Sequence, residues 1–194
     1  LLFALTICWV CARHGRWTAA AAGLGACLSV KPFLLVFAPY LLLTRRFRAA
    51  VVALATAAAS IVVGFLVFGA HQYRAWYGAL QQSGDWSWAV MNASLLGVFR
   101  RAFDLQPIGT PLVVAPGLVS GWVVPAATIG VVTLAAIASN ARPEPVGRAA
   151  DTDRAFALLL VAAQLISPLG WIYYLWLPAG PVAAVAASRS RRST

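Results

Sequence analysis

An all-α, polytopic transmembrane helical bundle is the fold class this sequence predicts, and three observations predict it. The 194 residues are 61% hydrophobic and only 10% charged, and apolar runs long enough to cross a bilayer recur along them. The arginines collect in short clusters between those runs, at Arg13/Arg16, Arg45/Arg46/Arg48, Arg142/Arg148/Arg154 and Arg189/Arg191/Arg192, which is the positive-inside pattern of cytoplasmic loops. Two further apolar stretches are interrupted by proline, at Lys31-Pro32 and Ser167-Pro168, so broken helices belong to the prediction. The net charge of +10 sits in the loop clusters and is no nucleic-acid footprint.

Leu1–Ala12 is apolar but shorter than the roughly 20 residues a span needs. It opens without Met and has no basic n-region before it. It reads as part of a span, and the chain as the C-terminal fragment of a longer protein with further spans upstream. Cys8 and Cys11 have no charged neighbour that would activate a thiolate, so close helix packing is their expected use. The three cysteines make no disulfide framework.

Trp17–Leu43 lies between basic clusters and is broken at Lys31-Pro32. With both flanks cytoplasmic it is a helical hairpin with its break facing outward. The alternative is one kinked span with Arg13 and Arg16 outside. Ala49–Gly69 is the clearest span, uncharged and flanked at its start by Arg45, Arg46 and Arg48. Residues 70–110 then form an extracytoplasmic loop, in which Tyr73, Trp76, Tyr77 and Leu80 recur at helical spacing. That spacing predicts a short amphipathic helix on the outer surface. The next span lies within Pro111–Ala138 and leads to a basic cytoplasmic loop, 139–154. Ala155–Ala187, broken at Ser167-Pro168, is the second hairpin. The whole of 1–194 reads as a single membrane domain.

Lys31 is the only lysine beside fourteen arginines, and it lies within an apolar run. A cation at the centre of a membrane helix costs about 2.5–3.5 kcal/mol, so a partner or a function is expected for it. A site for an anionic group at the broken helix is one reading; an ammonium snorkelling to a headgroup is the other. Ser167-Pro168-Leu169-Gly170-Trp171-Ile172-Tyr173-Tyr174-Leu175-Trp176 joins a helix breaker to four aromatics. It reads either as an interfacial belt or as a stacking wall for a sugar or headgroup, with Trp171, Tyr173 and Tyr174 as its members. In Met91-Asn92-Ala93-Ser94-Leu95-Leu96-Gly97-Val98-Phe99-Arg100-Arg101, Asn92 and Ser94 stand where a helix cap is expected. Asn92-Ala93-Ser94 also fits the short glycosylation sequon. Arg100 and Arg101 could clamp a phosphate, or could simply pair with Asp104. His14 and His71 are isolated. No P-loop, dinucleotide fingerprint or zinc-ligand spacing appears, and neither a metal nor a cofactor is expected.

Taken in order, Lys31-Pro32 between an Ala-rich helix and Leu-rich sequence ending in Arg45-Arg46, Asn92-x-Ser94-Leu95-x-Gly97 followed by Arg100, and Ser167-Pro168-x-x-Trp171 followed by aromatics resemble glycosyltransferase family 87. The resemblance covers most of the chain and matches the C-terminal half of such a protein. It implies a GT-C-like membrane enzyme at the extracytoplasmic face of a bacterial plasma membrane. Its reaction would be inverting transfer of a hexose, mannose first, from a polyprenyl-phosphate sugar to a lipid or glycan acceptor. Lys31 and Arg100, with Arg101 behind them, are then the natural groups for the leaving phosphate, and Asn92, Ser94, Trp171, Tyr173 and Tyr174 the further substrate-binding residues. The family's general base is an acid in the first outer loop, expected upstream of Leu1, so the fragment alone is expected to be inactive. Asp85 is the one acid placed to substitute, and it lies in a different loop. Many members carry a histidine shortly after the tryptophan of Ser-Pro-x-x-Trp. This chain has Ile172, Tyr173 and Tyr174, and tyrosine does not titrate near neutrality. A transporter or flippase segment with a midplane site at the broken helices is the alternative from another class; a non-catalytic scaffold is a third.

Overall fold

The structure, a computed structural model, describes residues 1–82, 86–105, 109–140 and 148–190. Asp85, residues 141–147 of the basic loop and the last four residues fall outside the described residues. Eight α-helices are described: α1 (Leu2–Arg13), α2 (Trp17–Val30), α3 (Phe37–Leu43), α4 (Phe47–Gln82), α5 (Leu95–Phe103), α6 (Val123–Asn140), α7 (Arg148–Ile166) and α8 (Ala179–Ser190). Three 3₁₀ helices, Pro32–Val36, Pro116–Trp122 and Ile172–Trp176, lead into α3, α6 and towards α8. No strand is present among the described residues, so the all-α prediction holds. Among the described residues two helical stretches, Phe47–Ala79 and Pro116–Ser139, are long and apolar enough to cross a membrane.

Small residues set how closely α2 and α4 approach. Ala20, Ala21, Leu24 and Gly25 of α2 are buried, as are Ala49, Ala50, Ala53 and Ala57 of α4. The bare Cα of Gly25 lies against the carbonyl of Ala53, a space any side chain would fill. Cys8 of α1 is buried and packs on Gly23 of α2, which is the packing use expected of it.

One end of the bundle gathers the starts or ends of five helices. Asp153, near the start of α7, is buried and accepts from Trp9 Nε1 at 2.8 Å and from Arg13 Nε at 3.2 Å, both near the end of α1. The Arg46 guanidinium lies 3.6 Å above the Trp17 ring, bringing the start of α4 to the start of α2. Trp17 and Tyr40 rings are 6.1 Å apart, so Trp17–Leu43 leaves this basic end and returns to it. The hairpin is therefore the arrangement adopted, and the single kinked span is not. The second broken stretch reverses likewise: Gly180 of α8 packs on the Trp9 ring, whose nitrogen bonds Asp153 at the start of α7.

α4 is two limbs rather than one rod. Gly69 has φ 78 and ψ 166, outside the helical region and at a φ that side-chain-bearing residues rarely adopt. The chain bends there so sharply that Tyr73 Oη reaches back to donate to the Ile61 carbonyl at 3.0 Å. The helix expected after Gly69 does form, as the second limb.

Candidate functional site

The first break arises from Pro32. Proline disfavours the helical conformation at the residue before it, and Lys31 is extended, with φ −134 and ψ 89. Its N–H still closes α2 on the Cys27 carbonyl at 2.9 Å, and its carbonyl accepts from Leu34 N at 3.1 Å to start the 3₁₀ turn. The ammonium nitrogen lies 5.1 Å from the centroid of the Tyr174 ring, a cation–π contact. Among the described residues no carboxylate pairs with it.

The second break is held by a clasp from residues 87–101. The peptide on either side of Asn92 pairs with that around Trp171: Ala93 N donates to Gly170 O at 2.7 Å and Ile172 N to Met91 O at 2.8 Å. The Asn92 amide then satisfies four backbone groups. Its Nδ2 donates to Ser87 O (2.9 Å) and Pro168 O (3.0 Å), and its Oδ1 accepts from Ser94 N (3.1 Å) and Gly170 N (2.9 Å). Ser94 caps α5 by accepting from Gly97 N at 3.1 Å, and its hydroxyl donates to Pro168 O at 3.2 Å. Gln164 Nε2 donates to Trp171 O at 2.6 Å from the α7 side. Arg101 Nη1 donates to the carbonyls of Ala89 (2.9 Å) and Asn92 (3.0 Å), and partial burial pushes its guanidinium below its ordinary pKa. Arg100 pairs with Asp104 at 2.9 Å.

A cavity of about 750 Å³ lies between the two breaks. Val30, Lys31, Pro32 and Phe33 line it from the first, and Ser167, Pro168, Leu169, Trp171 and Tyr174 from the second. Trp76, on the second limb of α4, closes another side. Lys31 is the only charged residue of the lining, and the rest of the wall is mostly apolar. Of the eight residues singled out in the sequence, Lys31, Trp171 and Tyr174 meet at this cavity. Tyr173 stacks nearly parallel on Trp171, with ring centroids 6.3 Å apart, and is more exposed. Asn92 and Ser94 are fully buried and bonded to protein, and with Arg101 they hold the second break rather than line the cavity. Arg100 also lies outside the lining. The three carboxylates among the described residues are elsewhere: Asp104 with Arg100, and Asp151 and Asp153 at the basic end.

A family model for glycosyltransferase family 87 matches residues 1–168. The chain belongs to that family. No curated protein and no solved structure matches it. Family 87 is a family of glycosyltransferases, so this is an enzyme sequence of a membrane protein acting on a sugar donor and an acceptor, and the transporter alternative gives way. The matched residues include Lys31 and the Asn92–Arg101 clasp and stop at Pro168. The aromatic wall of this family-87 chain, Trp171 to Tyr174, lies just beyond them. Trp76, Gln164 and Ser87 were not singled out from the sequence. Trp76 stood among several tryptophans and tyrosines that the interface would also favour, and nothing in the order of residues tied Gln164 to Trp171.

Proposed function

We propose that this family-87 chain transfers a hexose, mannose first, from a polyprenyl-phosphate sugar to a lipid or glycan acceptor, at the extracytoplasmic face of a bacterial plasma membrane that it crosses several times. The observation that carries the reading is the lone ammonium of Lys31 in an apolar cavity walled by aromatics. An anionic headgroup on an isoprenoid tail needs that combination: one cation for the phosphate and apolar wall for the rest. The orientation is supported by the basic end. Arginine clusters mark cytoplasmic loops, and α2 places its break about 21 Å from that end, at about 1.5 Å of rise per residue.

In the proposed reaction the acceptor hydroxyl oxygen attacks the anomeric carbon from the face opposite the phosphate. The new glycosidic bond forms as the bond to the phosphate oxygen breaks, and that oxygen leaves with the electron pair. A general base takes the hydroxyl proton. Lys31 stabilises the phosphate as its charge grows, in surroundings where water competes little. Tyr174 holds the ammonium in place through its ring, and Trp171 with Tyr173 behind it offers a flat apolar face to the sugar. Asn92, Ser94 and Arg101 take part by fixing the backbone that carries this wall.

The test is sugar transfer from polyprenyl-phosphate mannose in membranes holding the full reading frame, with Lys31 or Lys31→Ala at equal protein level. Loss of a single charge-stabilising donor should lower kcat about 100-fold, and Lys31→Arg should recover part of it. Undiminished transfer by Lys31→Ala would return the lysine to a headgroup-seeking role. No transfer by the folded parent across several donor sugars would remove the donor class.

A further inference from the structure

The second limb of α4 is joined to the first by one hinge and held by one side chain. The hinge is Gly69, at φ 78. The holding residue is Tyr73, whose ring lies in the notch left by Gly64, 5.7 Å from Phe65, and whose hydroxyl bonds the Ile61 carbonyl at 3.0 Å. Among the described residues this is the only hydrogen bond from the limb's side chains to the rest of the chain. His71, Gln72, Arg74, Ala75 and Tyr77 are exposed. Three residues beyond the latch, Trp76 is 49% exposed and yet lines the cavity. Its ring also meets that of Tyr73 at 6.2 Å, so latch and cavity wall are in contact.

We propose that residues 70–82 form a gate, with Gly69 as hinge and Tyr73 in the Gly64 notch as latch, and that Trp76 is the positioning residue it carries over the transferred sugar. This rests on the reading of the cavity as the donor site. A large anionic lipid must enter a space that Trp76 closes, and after entry the reacting carbon must be kept from water. A latch of one tyrosine suits both, because a single hydrogen bond and one ring contact are weak enough to open. The indole gives an apolar face for the sugar once the gate is shut. With the gate open, water competes with the acceptor, and the sugar is released by hydrolysis instead of being transferred.

The test uses the full reading frame with Cys8, Cys11 and Cys27 replaced by serine, and Gly64→Cys with Tyr73→Cys bridged by a short, reducible bis-methanethiosulfonate. Transfer from polyprenyl-phosphate mannose and the binding rate of polyprenyl phosphate are both read. The bridged protein should lose at least tenfold in both, and reduction of the bridge should restore them. Transfer and binding at the unbridged rate would overturn the gate. If no form transfers sugar but bridging still slows binding, the gate stands and the transferase reading fails. Tyr73→Phe is the milder check, since it keeps the ring in the notch and loses only the bond to Ile61. It should raise the ratio of donor hydrolysis to transfer severalfold, as should Trp76→Ala, with Trp76→Phe recovering part of the latter. A ratio unchanged in both Tyr73→Phe and Trp76→Ala, at equal protein level, would make Trp76 a fixed piece of wall.

Discussion

The two broken hairpins share a plan and treat their breaks in opposite ways. Each sends out an α-helix, interrupts it at proline and comes back through a five-residue 3₁₀ helix and a further α-helix. At the second break nearly every polar group of the turn is engaged, through the Asn92 amide, the Ser94 hydroxyl and Gln164. At the first, the Lys31 ammonium lies over the face of Tyr174, a ring supplied by the second hairpin, and no carboxylate among the described residues pairs with it. Buried backbone groups that lose their helical partners must find others, and the second break meets that demand with side chains from residues 87–101. The first keeps its ammonium uncommitted beside an apolar cavity. The comparison separates a break built for rigidity from one that holds a charge available, and the rigid one carries the ring that steadies the charge.

The largest effect is expected from cutting the clasp. Asn92→Ala leaves two buried carbonyls and two buried N–H groups without the amide, and should cost about 3–4 kcal/mol in a detergent unfolding measurement, at 1–3 kcal/mol for each group left unsatisfied and partly relaxed. Stability within about 1 kcal/mol of the parent would show the second break to be held by something else. Lys31→Ala should do the reverse: unfolding unchanged within about 0.5 kcal/mol, with the roughly 100-fold fall in transfer given above. Equal damage to both properties from both variants would erase the division between the hairpins. Gly170→Ala should cost about 2 kcal/mol, because the added Cβ would press on the Gln164 carbonyl, and thermal melts against Gly170→Ser would show whether size sets the loss. Ser94→Ala should cost about 1 kcal/mol, the usual worth of an N-cap, through the Gly97 N bond. A larger loss would mean that its bond to Pro168 O carries weight of its own.

Both breaks were legible because their causes are local. Proline beyond the first turn of an apolar helix removes a hydrogen bond and breaks or kinks it, and a lone lysine there is conspicuous by its cost. Whether Trp17–Leu43 crossed once or doubled back was not legible, since both courses suit the same run. The contacts of Trp17 with Tyr40 and Arg46 decide it. The cavity was hidden for a related reason: Lys31 and Tyr174 are distant in the chain, and only packing brings them together. For Ser94 the capping expectation holds, whereas the Asn92 amide caps no helix and bonds the second break instead. A polar side chain in a sequence does not say whether it faces a ligand or the backbone, and here the backbone partners at Pro168 and Gly170 lie beyond any local window. Trp76 was read with the interfacial aromatics because the bend at Gly69 that turns it to the cavity is a matter of one φ angle.

The tighter coil that follows each break works as a ruler. A 3₁₀ helix advances about 2.0 Å per residue against about 1.5 Å for an α-helix. The outward leg of the first hairpin, with fourteen α-helical residues, is about 21 Å long. Its return has only twelve, five of them 3₁₀, and reaches nearly the same length, about 20 Å. In the second hairpin nineteen residues out and seventeen helical residues back each cover about 28 Å. Wound as α-helix throughout, each return would fall about 2.5 Å short. The stretched turns therefore let the shorter leg of each hairpin arrive level with its longer one.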